Sequence, residues 1–487
     1  MKKNKRFLLI VSFAAAILFV AAGLNSVFRS AGYIDKLTGQ FQSVEAAENV
    51  DTSIYLPIIL KQYPLPPTVF GMQMGSINES GGLSKVVEAQ VDWVGGAVVS
   101  WSAVEPNLGD RNWSSLASTE QQWINATTNG MIPIANVRST PNWAQLYPAY
   151  SCGPMKQEYF DEFASFMYDL VTRYSASPYN IKYWEIWNEP DIDHSLVPPD
   201  SPYGCWGDIS DPYYGGGYYA DMLKVVYPQI KAANPNAQVL VGGLLLDCDP
   251  VNPPAGLNCT PSKYLEGILN NGGGEYFDGV SFHAYEYYAG DLGKYGNSNW
   301  HSAWNTTGPV LIAKSEYLKN LLENYGLTDK YLINTESALL CDNCVNDNTF
   351  ETTKAYYVVQ SYVTAIASEL RGNLWYSLLG WRNSGLIDGS HAPLLGFDAY
   401  KFARQELDSA TSLGAIGSTD INDPTGILGY KFDRGDRQVW VLWSLDGNPH
   451  TITLTPGTPA AIYDALGNPQ TTSNTIDVGL NPLYLEW

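Results

Sequence analysis

The stretch IKYWEIWNEP at 181–190 reads as a strand with an abrupt end. Its residues are mostly aromatic or β-branched, and Pro190 blocks continuation as either strand or helix. The residues left at the stop are Trp187, Asn188 and Glu189. Working outward, seven more short apolar runs appear. Upstream lie VFGMQM (69–74), AVVSW (97–101) and MIPIANV (131–137). Downstream lie QVLVGGL (238–244), DGVSFH (278–283), KYLINT (330–335) and GNLWYSL (372–378). Segments such as 158–174, 219–234, 315–325 and 353–370 carry helical periodicity between them. Strands alternating with helices imply βα units and a parallel sheet. Eight of them over 68–410 predict an α/β fold, a closed (β/α)8 TIM barrel.

Both flanks of the barrel differ from it. Past residue 411, TGILGYKFDRGDRQVWVLWSLDG (425–447) reads as two alternating strands around an Arg-Gly-Asp turn. Short strands and Gly/Pro/Asn turns continue, so 411–487 predicts a small C-terminal β-sandwich. Trp440 and Trp443 lie in it, and packing is favoured for them over polysaccharide docking. At the other end, MKKNKR precedes an apolar run at 7–24. Residues 1–24 therefore predict a signal peptide or an uncleaved N-terminal membrane anchor, since such a run spans about 27 Å as a helix. Residues 25–67 read as a linker ending in YPLPP. The remaining chain is expected to be secreted or held at the cell surface.

Composition narrows the partner. Lys and Arg total 28 against 49 Asp and Glu, a formal charge of −21. That argues against a nucleic-acid backbone or an anionic membrane surface as the main partner; membrane contact is expected only through the N-terminal segment. Aromatics make up 13%, which suits a neutral polar ligand with flat apolar faces, such as a sugar. The six cysteines fit an oxidising compartment. Fifteen pairings are possible; proximity favours Cys248–Cys259 and Cys341–Cys344, leaving Cys152–Cys205. The Cys341-Asp-Asn-Cys344 spacing also admits a metal or redox site, but no second CxxC or nearby His supports zinc. No cofactor or metal is expected: HExxH, GxSxG and GxxxxGK[ST] are absent, and the five His are scattered.

Barrels of this kind carry their chemistry at the C-terminal strand ends. The fourth run ends at Glu189 and the seventh at Glu336. Two carboxyls there suit glycosidic cleavage: one protonates the leaving oxygen while the other attacks the anomeric carbon or aims a water. Asn188 is placed to bond the neighbouring sugar hydroxyl, and Trp375 to stack under the ring. His283 and Tyr285 close the sixth run, and Arg138 and Trp143 follow the third. Glu185 shares strand parity with Glu189 and reads as a buried network partner, with Arg138 a possible mate. Aromatics on the loops after strands three to seven (Trp143, Tyr147, Tyr203, Trp206, Tyr213, Tyr214, Tyr287, Tyr288, Trp300, Trp304) are expected to supply several groove-lining rings, and Trp381 follows run eight.

The strings Trp-Asn-Glu-Pro (187–190), His-Ala-Tyr (283–285) and Asn-Thr-Glu-Ser (334–337) resemble the clan of retaining glycoside hydrolases with catalytic Glu after barrel strands four and seven. The run PIANVRSTPNWA (133–144) and the β-module look like the β-xylosidase/α-iduronidase family, and the cellulase family is also similar. The resemblance implies that Glu189 is the acid/base, Glu336 the nucleophile and Asn188 the ligand of the sugar 2-hydroxyl. It implies an oligo- or polysaccharide substrate. A non-catalytic carbohydrate-binding protein on the same barrel is the alternative.

Overall fold

Eight parallel strands close on themselves. They are Phe70–Gln73, Trp93–Gly95 with its continuation Val98–Ser100, Ile132–Arg138, Tyr183–Asn188, Gln238–Leu244, Gly279–Tyr288, Tyr331–Leu340 and Asn373–Trp375. Each pairs with the next, and the eighth returns to the first through Phe70↔Asn373. This computed structural model describes residues 68–288, 295–297 and 299–487. The expected export segment and linker at 1–67 lie outside the described residues. The architecture is the expected TIM barrel followed by an antiparallel β-module.

The differences from expectation are local. The second strand begins at Trp93, earlier than the expected 97, and is broken at Gly96. Gly96 has φ +115°, and a Cβ there would lie 1.9 Å from the Met74 carbonyl oxygen, so the strand steps where only glycine fits. The sixth and seventh strands run on to Tyr288 and Leu340, in register from Glu336↔His283 to Leu340↔Tyr287. Their polar residues hid this extension, because buried polar side chains break the apolar pattern that marks a strand.

An apolar plug fills the N-terminal end of the barrel. Trp93, Ile134, Tyr183, Leu240, Ile333 and Leu374 meet there as one cluster. Gly71 has no room for a side chain, since its Cβ would lie 2.6 Å from Leu374 Cγ. The missing side chain at Gly71 leaves room for its larger neighbours, as close packing of a barrel interior requires.

The C-terminal module is a five-stranded antiparallel sheet in the order Thr411–Ala415, Ile427–Asp433, Gln438–Ser444, Leu483–Glu486, Ala461–Tyr463, with a separate ribbon of His450–Thr453 and Thr475–Val478. Its central strand obeys the two-residue period. Trp440 and Leu442 join a small core with Ile452, Ile476 and Val478. Val439, Val441 and Trp443 join the core of the barrel. Both tryptophans therefore pack, as favoured. Phe402, on the last barrel helix (Leu395–Glu406), stands edge-on to Tyr463 and Tyr484 at 5.6 and 5.0 Å. The Arg-Gly-Asp turn is folded onto that helix, with Arg434 Nη1 donating to the carbonyls of Gln405 at 2.7 Å and Glu406 at 3.1 Å.

All three expected disulfides form: Cys152–Cys205, Cys248–Cys259 and Cys341–Cys344. They tie loops that follow the third, fourth, fifth and seventh strands. Among the described residues no helix is long and apolar enough to cross a membrane.

Candidate active site

The Trp-Asn-Glu-Pro string turns sharply because Trp187 (φ +76°) and Glu189 (φ +48°) both adopt left-handed backbone. Such conformations cost on the order of 1 kcal/mol each and persist only when neighbours fix them. Three hydrogen bonds do so. Glu189 N donates to the Gly243 carbonyl at 2.9 Å, Asn136 Nδ2 donates to the Trp187 carbonyl at 2.7 Å, and Trp187 Nε1 donates to the Cys152 carbonyl at 2.7 Å. Glu336 sits where the register of the seventh strand shifts between Asn334 and Glu336, which aims its carboxyl into the barrel mouth.

The two carboxyls meet at one imidazole. His283 Nδ1 lies 2.8 Å from Glu189 Oε1 and 3.5 Å from Glu336 Oε2. One oxygen of each carboxyl and one ring nitrogen lie within 4.8 Å of one another. Tyr285 donates its hydroxyl proton to Glu336 Oε2. The ring fits because residue 243 is glycine: a Cβ there would lie 2.2 Å from His283 Nε2.

Glu185 lies in a polar layer beneath. It accepts from Asn136 Nδ2 at 2.9 Å and from Thr335 Oγ1 at 3.0 Å, while Gln73 Nε2 donates to the Thr335 carbonyl at 2.8 Å. Glu185 is thus the expected network partner, but Asn136 and Thr335 are its mates. Arg138 donates to the Pro202 carbonyl and meets Glu185 only through charge.

The electrostatics follow from burial among like charges. Burial favours a neutral His283, but Glu336 and Glu189 outweigh it and raise the ring to about 9. His283 is therefore an imidazolium near neutrality, with its Nδ1 proton directed at the carboxylates. Burial, with the charges of Glu189 and Glu185, pushes Glu336 up to about 7 against the opposing pull of His283 and Tyr285. Burial and then Glu336 hold Tyr285 well above the ordinary phenol range, so it remains a donor. Three carboxyls (Glu185, Glu189, Glu336) face two cations (His283, Arg138).

These groups border a cleft of about 640 Å³. Of the expected residues, Arg138, Asn188, Glu189, Tyr285 and Glu336 line it, with Tyr203 and Tyr287 from the loop aromatics. His283 lies behind the wall, fully buried. Trp375 and Trp143 do not reach the cleft. Leu374 points into the barrel, so Trp375 points the other way by strand alternation; its ring is 6.2 Å from Tyr357 and Nε1 donates to the Ser384 carbonyl at 2.8 Å. Trp143 packs edge-on to Trp101 and Tyr159 and donates to the Glu105 carbonyl at 3.1 Å. Trp206, Tyr214, Trp300 and Trp304 are core residues.

The aromatic wall comes instead from Tyr376 and Trp381. Trp381 is 49% exposed, with ring centroids 6.1 Å from Tyr285 and 6.0 Å from Tyr376. Its loop is clamped to the Cys341–Cys344 disulfide, since Cys341 N donates to the Arg382 carbonyl at 2.9 Å. Tyr376, Gln73 and Asn136 were missed by sequence reading. Their signal was parity: each lies two residues beyond a residue of the floor layer, Leu374, Gly71 and Ile134.

Glu189, His283 and Glu336 also offer ligand atoms close enough for one metal ion. Ligation through Nδ1 requires that nitrogen to lose its proton, whereas two carboxylate oxygens at 2.8 and 3.5 Å hold the proton there. The arrangement fits a hydrogen-bonded acid pair better than a metal centre.

Solved structures share this fold at low identity. A family 39 glycoside hydrolase from the gut symbiont Bacteroides cellulosilyticus aligns with a TM-score of 0.62 at 18% identity, covering 86% of this chain and 81% of that one. A family 30 endoxylanase from Clostridium papyrosolvens aligns at 0.55 and 12% identity, covering 86% and 96%. A family 51 α-L-arabinofuranosidase from Bifidobacterium longum aligns at 0.53 and 16% identity, covering 87% and 96%. No protein-family model matches the sequence, and no curated protein does.

Proposed function

We propose that the chain is an exported retaining β-glycosidase that hydrolyses oligo- or polysaccharides, with Glu189 as acid/base and Glu336 as nucleophile. The observation that carries this reading is the convergence of the two carboxyls on His283 Nδ1 within 4.8 Å, at the mouth of a barrel cleft. Retaining enzymes hold their carboxyls about 5–5.5 Å apart, too close for a water between nucleophile and sugar. The fold likeness to three glycoside hydrolase families agrees with it. Three disulfides agree with export, as does the basic and apolar segment at 1–24.

The reaction runs in two displacements. The Glu336 carboxylate attacks the anomeric carbon while the bond to the leaving oxygen breaks, and Glu189 gives that oxygen its proton. A covalent glycosyl ester on Glu336 results. Glu189, now a carboxylate, takes a proton from water as the water's oxygen attacks the same carbon, and Glu336 leaves as a carboxylate. The Tyr285 hydroxyl and the His283 ring favour the Glu336 carboxylate against the burial that raises it, Asn188 bonds the 2-hydroxyl as charge builds on the ring, and Trp381 offers a stacking face.

The test is kinetic and stereochemical. Glu336→Ala and Glu189→Ala each remove nearly all hydrolysis of aryl β-glycosides. Azide rescues both, giving the α-glycosyl azide from the first and the β-glycosyl azide from the second. A variant that keeps its rate, or products of swapped configuration, overturns the assignment. Binding of glycans by wild-type protein without turnover would leave a carbohydrate-binding barrel instead.

A further inference from the structure

Lys314 stands on the helix Val310–Asn324 with its ammonium buried behind the site. Nζ donates to the carbonyls of Leu245 and His283, each at 2.7 Å, and lies 5.9 Å from the Trp304 ring centroid. The place explains the partners. The fifth and sixth strands pair as far as Leu244↔Phe282 and no further. The next carbonyls, Leu245 and His283, face the seam where the ladder has stopped, and buried carbonyls need a donor. Lys314 serves both.

The same segment is held from its other side. Asp191, two residues after Glu189, accepts from Leu245 N and Leu246 N at 2.9 Å each. The contacts then close a ring. They run from the Glu189 turn through Asp191 to Leu245, through Lys314 to the His283 backbone, and from His283 Nδ1 back to Glu189 Oε1.

We propose that Lys314, with Asp191 as its counter-charge across the Leu245 peptide, is the positioning residue that sets His283 against Glu189. The proposal rests on the reading of Glu189 as the acid/base. A neutral donor would serve less well, because an ammonium brings three donors and also offsets the acids that face it. Those acids are Asp191 and Glu189 from the fourth-strand turn, Asp247 from the loop after the fifth strand, and Glu286 from the sixth strand. Lys314 also bonds the backbone carbonyl of His283. Burial pulls the Lys314 ammonium down to about 8 even among these acids, so it remains charged at neutrality. Asp191, buried and close to Glu189 and Asp247, is raised to about 7.

The experiment uses the full chain labelled with 15N-histidine. In the wild type, the His283 Nδ1–H gives a far-downfield proton resonance typical of an imidazolium bonded to carboxylate. Lys314→Met loses that resonance and lowers kcat by roughly 100-fold, the scale of a small misplacement of a reacting group, with KM little changed. It also shifts the alkaline arm of the rate profile. Lys314→Arg, which keeps charge and donors, restores resonance and rate. Asp191→Asn weakens both, and the double variant is no worse than Lys314→Met alone, because the two residues act through one peptide. Retention of the resonance and kcat in Lys314→Met, or additive losses in the double variant, overturns the proposal. If Lys314→Met does not fold, Asp191→Asn decides by the same resonance. The resonance requires no turnover, so an inactive wild type would sink the catalytic reading and still leave the brace tested.

Discussion

The two ends of the barrel are built from the same strands and obey opposite rules. At the floor, Trp93, Ile134, Tyr183, Leu240, Ile333 and Leu374 form a dry plug with no charged member. Two residues further along those strands, Ile134 gives way to Asn136, Tyr183 to Glu185, Ile333 to Thr335 and Leu374 to Tyr376, and above them stand Arg138, Glu189 and Glu336. The floor stabilises by packing. The mouth holds buried charges whose desolvation costs stability. The lesson is that one strand period separates an apolar floor from a polar cleft.

The sharpest break of that contrast is Glu336→Gln. If Glu336 is the proposed nucleophile, this change should reduce turnover by on the order of 10⁴-fold or more. The same change should raise the midpoint of thermal unfolding above pH 7, because the wild-type carboxyl is held above its unfolded value. A variant that is dead and also less stable at pH 8 would contradict the contrast.

Leu240→Ala tests the other end. It should cost about 2–5 kcal/mol in chemical denaturation, since a plug residue leaves a cavity, while kcat per folded molecule stays unchanged. A fall in kcat beyond the unfolded fraction would show that the floor also tunes the site.

The pH dependence separates the ends further. Glu336 and Asp191 are raised to about 7, Glu286 to about 8 and His283 to about 9. Each folded value exceeds the unfolded one, so the folded state binds more protons in the intervening range. Their stabilising contribution is complete below about pH 4 for the carboxyls and about pH 6.5 for the imidazole, and is lost as pH rises through 7 to 9. Lys314, lowered to about 8, acts in the opposite sense between 8 and its unfolded value. The unfolding midpoint should therefore decline from mildly acidic pH toward pH 8. An unfolding midpoint flat from pH 5 to 9 would show that folding does not raise these groups.

The smallest effects lie at the rim. Trp381→Ala should raise KM several-fold on oligosaccharides, as loss of about 0.5–1.5 kcal/mol of stacking implies, with little change in unfolding. Chelation should leave the rate unchanged, because the His283 proton occupies the position a metal would need.

Much of the site was legible because strand ends are marked by local chemistry. Pro190 fixed the turn beside Glu189, and the alternation of runs and helices gave the barrel. The aromatic wall was not legible in the same way. Trp375 and Tyr376 are neighbours of similar character, and one faces the helices while the other lines the cleft. Only the direction in which Leu374 points decides between them. Trp143 looked like a rim residue and proved to be packing between Trp101 and Tyr159.

The sequence by itself determined the eight units, the β-module, the pairing of six cysteines and the two glutamates at strand ends. These follow from periodicity, turn chemistry and proximity, which act over a few residues. Tertiary structure alone decided that both glutamates share His283, that Asn136 and Thr335 hold Glu185, and that Lys314 closes the seam behind them. Those contacts join residues up to 150 positions apart. Nothing short-range records them, because they exist only once the barrel closes and buried polar groups must find partners.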